Sequence, residues 1–290
     1  MKIEGMTIIQ GSKGSGKSGT AVSIALEHLR AGGVVAANFA LKPGWAEKLA
    51  RRHWRSMFDK KFQREFAISM YNRFFEVRNV HAILDIDVKN LACDRHVTRY
   101  YRNGEPIHQE GQGLLILDEC SLVFNSRKSM QGDKNMSWIE FFTQARKHGW
   151  YEVLIAHKAE MIDSQIRDMA EYEVSFRNLQ KVHIPFIGLP LSPFPAFLMI
   201  SRYAGFGPGS GCIASKGLCL LPLWAARLYD SNLIFSQQHF NISGDPVHSG
   251  PPPALWADGG HIPSRSRQHC TSSLVGPHWD NYLMTGPAPE

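Results

Sequence analysis

Gly11-Ser12-Lys13-Gly14-Ser15-Gly16-Lys17-Ser18 is the most informative stretch of this 290-residue sequence. It matches the pattern G-x-x-x-x-G-K-[ST] at every position. An apolar segment at residues 6–10 precedes it, and apolar residues at helical spacing follow it over residues 21–29. A strand, a glycine-rich loop and a helix in this order bind phosphate, because backbone N–H groups of the loop and of the helix N-terminus face the anion.

The loop predicts a nucleotide-binding site in which individual residues have separate roles. Lys17 is expected to reach the β and γ phosphates, and Ser18 is expected to bind Mg²⁺ through its hydroxyl. The residues assigned to the nucleotide are Gly11, Ser12, Lys13, Gly14, Ser15, Gly16, Lys17, Ser18 and Gly19. A chance glycine loop is the weaker interpretation, because accidental matches rarely fall between a strand and a helix.

A second motif, residues 113–119, predicts a buried strand that ends in Asp118 and Glu119. Four consecutive apolar residues are typical of a strand covered on both faces of a parallel sheet. Asp118 is expected at the ligand-binding edge of the sheet, as a direct or water-mediated ligand of Mg²⁺. Glu119 is expected to polarise the attacking water as a general base. An ordinary strand followed by an acidic turn is the alternative for this motif taken alone.

Two further candidates follow a third predicted strand at residues 152–156. His157 ends that strand, where it can contact the γ-phosphate or the lytic water, and a solvated histidine is an equally good interpretation. Arg167 is a candidate arginine finger for the nucleotide of a neighbouring subunit. Asp163 and Glu171 stand four residues before and after it, which favours an ion pair instead.

The alternation of predicted strands and helices over residues 1–180 indicates an α/β P-loop NTPase domain, with a mainly parallel central sheet flanked by helices. Glu119 beside Asp118 favours ATP hydrolysis, and no N-K-x-D guanine-recognition motif is present. Fourteen of the 16 prolines and 12 of the 25 glycines lie beyond residue 180, which predicts an irregular C-terminal region.

The C-terminal part divides in two by composition. Residues 181–240 are apolar and broken by prolines, so they are expected to associate with a membrane or to act as a linker. Within them, residues 184–200 carry no charge but contain four prolines, which argues against a conventional spanning helix. Residues 241–290 are rich in Pro, Gly, Ser and His and are predicted to be disordered.

The amino-acid composition limits which cellular compartment and which binding partners are expected. The formal net charge of +6 favours polyanionic partners such as nucleic acid, ATP or an acidic membrane surface. Five scattered cysteines without C-x-x-C spacing predict a reducing compartment, and the N-terminus has no signal-peptide pattern. We therefore expect the N-terminal domain to be cytoplasmic.

Residues 45–64 form a basic stretch with interleaved aromatic side chains. Seven Lys and Arg stand there against two acids, with Trp45, Trp54 and Phe58 between them. Such a stretch can follow a DNA backbone or meet anionic lipid headgroups. The favoured interpretation is a solvated helix face whose aromatic side chains enter the core.

A longer pattern resembles a known family. Residues 145–158 contain the turn His148-Gly149-Trp150 leading into a strand, and residues 162–171 match I-x-x-x-I-R-x-x-x-E. Together with the two phosphate motifs, this order is similar to that of the Zot (zonula occludens toxin) family of filamentous-phage assembly ATPases. The resemblance covers residues 1–180, and residues 227–235 resemble a tyrosine-aspartate motif further along such proteins.

The resemblance implies an ATPase, using ATP and Mg²⁺, that drives the assembly and extrusion of filamentous phage at the cytoplasmic face of the host inner membrane. The implied partners are copies of the same chain, phage single-stranded DNA with its coat or DNA-binding proteins, and an outer-membrane secretin. Such proteins usually have a membrane span after the ATPase domain, from which residues 181–240 depart. The alternatives are a soluble DNA-packaging or translocating ATPase and a nucleotide-gated assembly scaffold with little turnover.

Overall fold

The fold is seen in a computed structural model that describes residues 3, 5–77, 80–92, 97–100, 106–108, 110–125, 133–182, 191–192, 194–204, 212–220 and 223–229. In chain order its elements are β1 (Met6–Gly11), α1 (Lys17–Arg30), β2 (Val34–Ala37), α2 (Trp45–Ala50), α3 (Lys60–Asn72), β3 (Phe74–Glu76), α4 (Val80–Leu84), α5 (Val88–Leu91), β4 (Val97–Tyr100), β5 (Pro106–His108), β6 (Gly113–Leu117), α6 (Asp133–Gln144), β7 (Trp150–Ala156), α7 (Ser164–Asp168), β8 (Tyr172–Asn178), β9 (Ala196–Tyr203), β10 (Ile213–Leu220) and α8 (Leu223–Ala226).

Eight of the strands form a sheet in the order β10-β9-β8-β1-β7-β6-β2-β3. The six strands from β8 to β3 pair in parallel, and β9 and β10 are added antiparallel at the β8 edge. The predicted α/β architecture with a mainly parallel sheet is confirmed. Because β1, β6, β7 and β8 run in one direction, their carboxyl ends meet at a single edge of the sheet.

Apolar side chains are packed on both faces of the sheet. Neighbouring residues of β1 point to opposite sides, so Ile9 joins the core layer beneath α1, while Ile8 joins the other layer with Trp138 of α6. All five residues of β6 are buried, which is the burial expected of a central parallel strand. The core thereby holds the carboxyl ends of the central strands in place.

The sheet continues beyond residue 180. β9 pairs with β8 along seven residues, and β10 pairs with β9. The uncharged run at residues 184–200 therefore ends inside a strand, where Ala196 and Phe197 are buried. Its first part, residues 184–190, and the predicted disordered tail at residues 241–290 lie outside the described residues. Among the residues that are described, no helix is both long enough and apolar enough to cross a membrane.

The basic stretch at residues 45–64 does not bury all its aromatic side chains. Trp45 enters the core at 1% exposure, as expected, and packs against Phe74. Trp54 and Phe58 are 59% and 81% exposed, so the prediction that these two side chains enter the core is wrong. The physical reason is a 3-10 turn at Trp54–Met57, which breaks the helical spacing between α2 and α3.

Candidate active site

The glycine-rich loop joins β1 to α1 in a shape that glycine alone accommodates. Gly16 caps α1 with a left-handed backbone at φ 86°, and Gly14 has φ 72°. A Cβ atom on Gly16 would lie 2.9 Å from the ring of Phe197 in β9. Any other residue at position 16 would therefore have an unfavourable backbone conformation, and its Cβ atom would also clash with the ring of Phe197.

The end of β8 supports the outer side of this loop. Asn178 Nδ2 donates a hydrogen bond to the Gly14 carbonyl at 2.9 Å, and Lys181 Nζ donates to the Lys13 carbonyl at 2.8 Å. These bonds use carbonyl oxygens of the loop rather than its N–H groups, which are the donors that bind phosphate. The hydroxyl of Ser15 is buried with no hydrogen-bond partner among the described residues, so the loop retains an unused polar group.

Lys17 lies across the mouth of the loop. Its Nζ donates to the carbonyls of Gly11 at 2.7 Å and Ser12 at 3.1 Å. Burial lowers the pKa of Lys17, while the nearby charges of Glu119 and Asp118 act in the opposite direction. The ammonium thus sits between two weak carbonyl acceptors and two carboxylates, in reach of the predicted phosphate position.

Asp118 follows β6 and is buried at 3% exposure. Its Oδ1 accepts from the Glu119 N–H at 2.9 Å, and its carboxylate accepts a hydrogen bond from the Ser18 hydroxyl. Burial raises the pKa of Asp118, and the Ser18 hydrogen bond opposes that shift. The two predicted Mg²⁺ ligands are therefore in direct contact, although they lie on different elements.

Glu119 has the one left-handed backbone found on a non-glycine residue in the described chain, with φ 49°. Such a conformation is costly for a residue with a Cβ and is commonly retained at functional sites. Its Oε1 lies 3.5 Å from His157 Nε2, and both side chains are partly exposed. The His157 carbonyl accepts from the Gly11 N–H at 3.2 Å, which ties the histidine to the phosphate loop.

Three residues at this edge were not predicted as site residues, although Tyr229 lies in the tyrosine-aspartate resemblance at residues 227–235. Asn38, after β2, donates to the Asp118 carbonyl and accepts from the Asp118 N–H, both at 2.7 Å. Gln10, in β1, accepts from the Ala159 N–H at 3.0 Å. The Tyr229 hydroxyl lies 3.4 Å from Asp118 Oδ2. A polar residue directly after an apolar strand is the signal that points to Asn38.

Arg167 has a different neighbour from those expected. It lies on α7, where its Nε is 3.7 Å from Asp168 Oδ1. Asp163 instead caps α7 by accepting from the Gln165 N–H at 2.9 Å. The ion pair that forms is thus local to α7, and the arginine-finger role in a neighbouring subunit stays a prediction.

The side chains present suit a nucleotide with a magnesium ion. A hydroxyl and a carboxylate in contact, Ser18 and Asp118, are the hard oxygen ligands that Mg²⁺ takes, with phosphate oxygens and water completing its shell. The unpartnered Ser15 hydroxyl and the N–H groups of the loop offer donors to phosphate. The loop, its lysine and the adjacent carboxylates therefore define the class of this protein as a P-loop NTPase.

The chain belongs to the Zonular occludens toxin (Zot) family, whose model matches residues 5–189. It is 29% identical over 185 residues to the Gene 1 protein of Enterobacteria phage I2-2, an alignment that covers 62% of this chain and 42% of that protein. It is 40% identical over 88 residues to the Gene 1 protein of Escherichia phage If1, covering 30% of this chain and 25% of that protein. The alignments thus span less than half the length of these relatives.

Likeness to solved structures is distant. The N-terminal domain of zonular occludens toxin from Neisseria meningitidis is 13% identical with a TM-score of 0.41, covering 79% of this chain and 100% of that chain. The genome packaging NTPase from Sulfolobus turreted icosahedral virus 2, in complex with AMP, is 12% identical with a TM-score of 0.35, covering 74% of this chain and 98% of that chain. The resemblance to the Zot family is confirmed by the family model.

Proposed function

We propose that this protein is an ATPase that drives the assembly and extrusion of filamentous phage at the cytoplasmic face of the host inner membrane. The observation that carries the proposal is the convergence of Ser18, Asp118 and Glu119 at the phosphate loop of a chain that belongs to the Zot family. Gene 1 proteins of phages among its relatives support the phage context.

The chemistry follows from the residues at the sheet edge. Lys17 exchanges its two carbonyl contacts for the β and γ phosphates, where it offsets their charge. Ser18 and Asp118 would hold Mg²⁺, which would supply positive charge to offset that of the phosphates. Glu119 accepts a proton from the attacking water, and His157, 3.5 Å from its carboxylate, orients that carboxylate.

The proposed partners are those of an extrusion motor. They are further copies of this chain, phage single-stranded DNA with its coat or DNA-binding proteins, and an outer-membrane secretin. The formal net charge of +6 supports contact with a polyanion. Arg167 lies on the partly exposed helix α7. In an oligomer it would therefore be able to reach the nucleotide bound to a neighbouring copy of the chain.

Lys17→Ala tests the proposal, with the exposed Lys147→Ala as its control. We expect Lys17→Ala to abolish ATP turnover by the purified protein and phage release from cells in which it replaces the parent, whereas Lys147→Ala retains both. Turnover at the parent rate in Lys17→Ala would refute the site. Normal phage release in that variant would refute the function. A parent that supports phage release but shows no turnover would identify a scaffold instead of a motor.

A further inference from the structure

An exposed surface between α2 and α3 has no role in the nucleotide site. We call it the apolar-basic surface. Its members are three apolar residues on a turn and five exposed cations around them: Trp54, Met57, Phe58, Arg51, Arg52, Lys60, Lys61 and Arg64. Met57 and Phe58 are 73% and 81% exposed, more than the other large apolar side chains of the described chain. Adjacent apolar side chains left in water in this way mark an interaction site.

The turn that carries these side chains is held firmly from below. The Ser56 hydroxyl donates to the Ala50 carbonyl at 2.7 Å, and His53 Nδ1 accepts from the Arg55 N–H at 3.3 Å. Asp59 then caps α3 by accepting from the Phe62 N–H at 2.9 Å. These hydrogen bonds fix both ends of the turn, so the exposed side chains of Met57 and Phe58 are held on an ordered part of the surface.

Four of the five exposed cations form a single group, and the fifth, Arg52, lies over the Trp224 ring. Arg51, Lys60, Lys61 and Arg64 line one shallow cavity on the neighbouring helices, where Glu47 is the single acid. An anionic partner would therefore meet positive charge around an apolar tip. Amphipathic surfaces that lie in a membrane interface combine these two features, with apolar side chains below the headgroups and Lys and Arg beside them.

We propose that the apolar-basic surface docks the NTPase domain onto an anionic lipid bilayer. A bilayer accommodates all three exposed apolar side chains, because Trp, Phe and aliphatic side chains all enter the interface, whereas only Trp54 and Phe58 have an aromatic face for stacking on bases. The choice of a bilayer rests on the proposed function, which places the protein at a membrane. Its test is independent of that function, because vesicle binding is measured without ATP.

The test compares full-length variants for sedimentation with vesicles of phosphatidylcholine containing about 30 mol % phosphatidylglycerol, an anionic surface. We expect the parent to bind these vesicles and to ignore pure phosphatidylcholine. Met57→Ser with Phe58→Ser, and separately Lys60→Glu with Lys61→Glu, should each weaken binding about ten-fold or more. Leu84→Ser and Lys89→Glu, on α4 and α5, are the controls and should bind like the parent.

Equal binding by the Met57/Phe58 variant and the parent would overturn the proposal, as would a parent that ignores both kinds of vesicle. An oligonucleotide of single-stranded DNA is measured alongside. Loss of DNA binding in the surface variants, with vesicle binding unchanged, would assign the surface to nucleic acid instead. Because all six substituted side chains are exposed, matching thermal unfolding curves are expected for all variants.

A second, independent observation concerns the segment after β10. α8 packs against α1, and Ala225 in α8 and Leu228 after it are buried. The Leu228 carbonyl accepts from the Lys42 N–H at 2.9 Å, and Tyr229 forms a β-bridge with Leu41. The Tyr229 ring packs edge-on against Phe39 at 5.5 Å, which aims its hydroxyl at the carboxylate of Asp118.

We infer that Tyr229 is a positioning residue for Asp118. The Glu119 N–H holds Asp118 Oδ1 at 2.9 Å, and the Tyr229 hydroxyl lies 3.4 Å from Oδ2, so each carboxylate oxygen has its own donor. Together the two donors orient the carboxylate beside Ser18. Outer partners of this kind orient the groups that bind a metal.

Tyr229→Phe tests this role, because it removes the hydroxyl and keeps the ring against Phe39. The readout is the affinity for a fluorescent ATP analogue with Mg²⁺ divided by the affinity without it. We expect this ratio to fall about ten-fold, and we expect Tyr203→Phe, which removes a hydroxyl from an exposed tyrosine in β9, to leave it unchanged. A role in packing alone would lower both affinities together and keep the ratio constant, and either that result or no change would overturn the inference.

Discussion

At the scale of single residues, Glu119 separates binding from turnover. Glu119→Gln keeps the shape of the side chain and removes the proton acceptor, so we expect nucleotide affinity to persist while turnover falls about 10²-fold or more. Steady-state hydrolysis and equilibrium binding of ATP check this, with the exposed Glu110→Gln as control. If Asp118→Asn stops turnover and Glu119→Gln does not, the base lies elsewhere and His157 is the next candidate.

Glu152 makes a prediction about stability and pH. Burial, with the charge of Glu171 adding to it, raises the pKa of Glu152 to about 8, from an ordinary 4.5. Between these values the folded protein keeps a proton that the unfolded chain releases, so the free energy of unfolding falls as pH rises, by up to about 1.4 kcal/mol per pH unit. Below pH 4.5 the stability that depends on the Glu152 proton is fully present, and above about pH 8 all of that stability has been lost.

Glu152→Gln should therefore flatten the dependence of the melting temperature on pH across that window and stabilise the protein on its alkaline side. Thermal unfolding over a pH series is the measurement. Glu160→Gln, an exposed acid in the turn after β7, should keep the slope of the parent. A Glu152→Gln curve that parallels the parent would show that Glu152 does not retain its proton in the folded state.

At the scale of elements, β9 supports the phosphate loop from outside the parallel strands. Phe197 is buried against Gly16, whereas Phe194, just before β9, is 70% exposed. Phe197→Ala should lower the free energy of unfolding by about 3–5 kcal/mol. It should also weaken ATP binding, because no aromatic ring then packs against Gly16 of the phosphate loop. Phe194→Ala should change neither quantity. Chemical denaturation and ATP titration check both variants, and equal effects would deny β9 a specific role.

At the scale of the whole molecule, the predicted domain of residues 1–180 can be tested by truncation. A chain cut after residue 180 lacks β9, β10 and α8, which leaves β8 as an open edge and uncovers Gly16. We expect it to aggregate or to bind ATP weakly, whereas residues 1–229 should bind ATP like the full chain. Equal ATP affinity and melting temperature for the two truncated chains would place the boundary where composition predicts it.

Patterns of residues that are close in sequence were sufficient to predict much of the fold and of the nucleotide site. The phosphate loop, the strand that ends in Asp118 and the alternation of strands and helices each depend on neighbours in the chain, so spacing and hydrophobicity reveal them. The contact of Ser18 with Asp118 was also foreseeable, since carboxyl ends of parallel strands share one edge. The assignments of phosphate-binding side chains remain predictions that the variants above test.

Other features depended on contacts between distant parts of the chain. Asn38 and Tyr229 reach Asp118 across 80 and 111 residues, and no local spacing encodes such a meeting. β9 joins the sheet although its neighbourhood is rich in proline, because Ala196 and Phe197 find a buried place against β8 and the phosphate loop. Phe58 stays in water because a 3-10 turn rotates it away from the core. In each case the outcome was settled by which surfaces packed together, and that is a property of the folded chain.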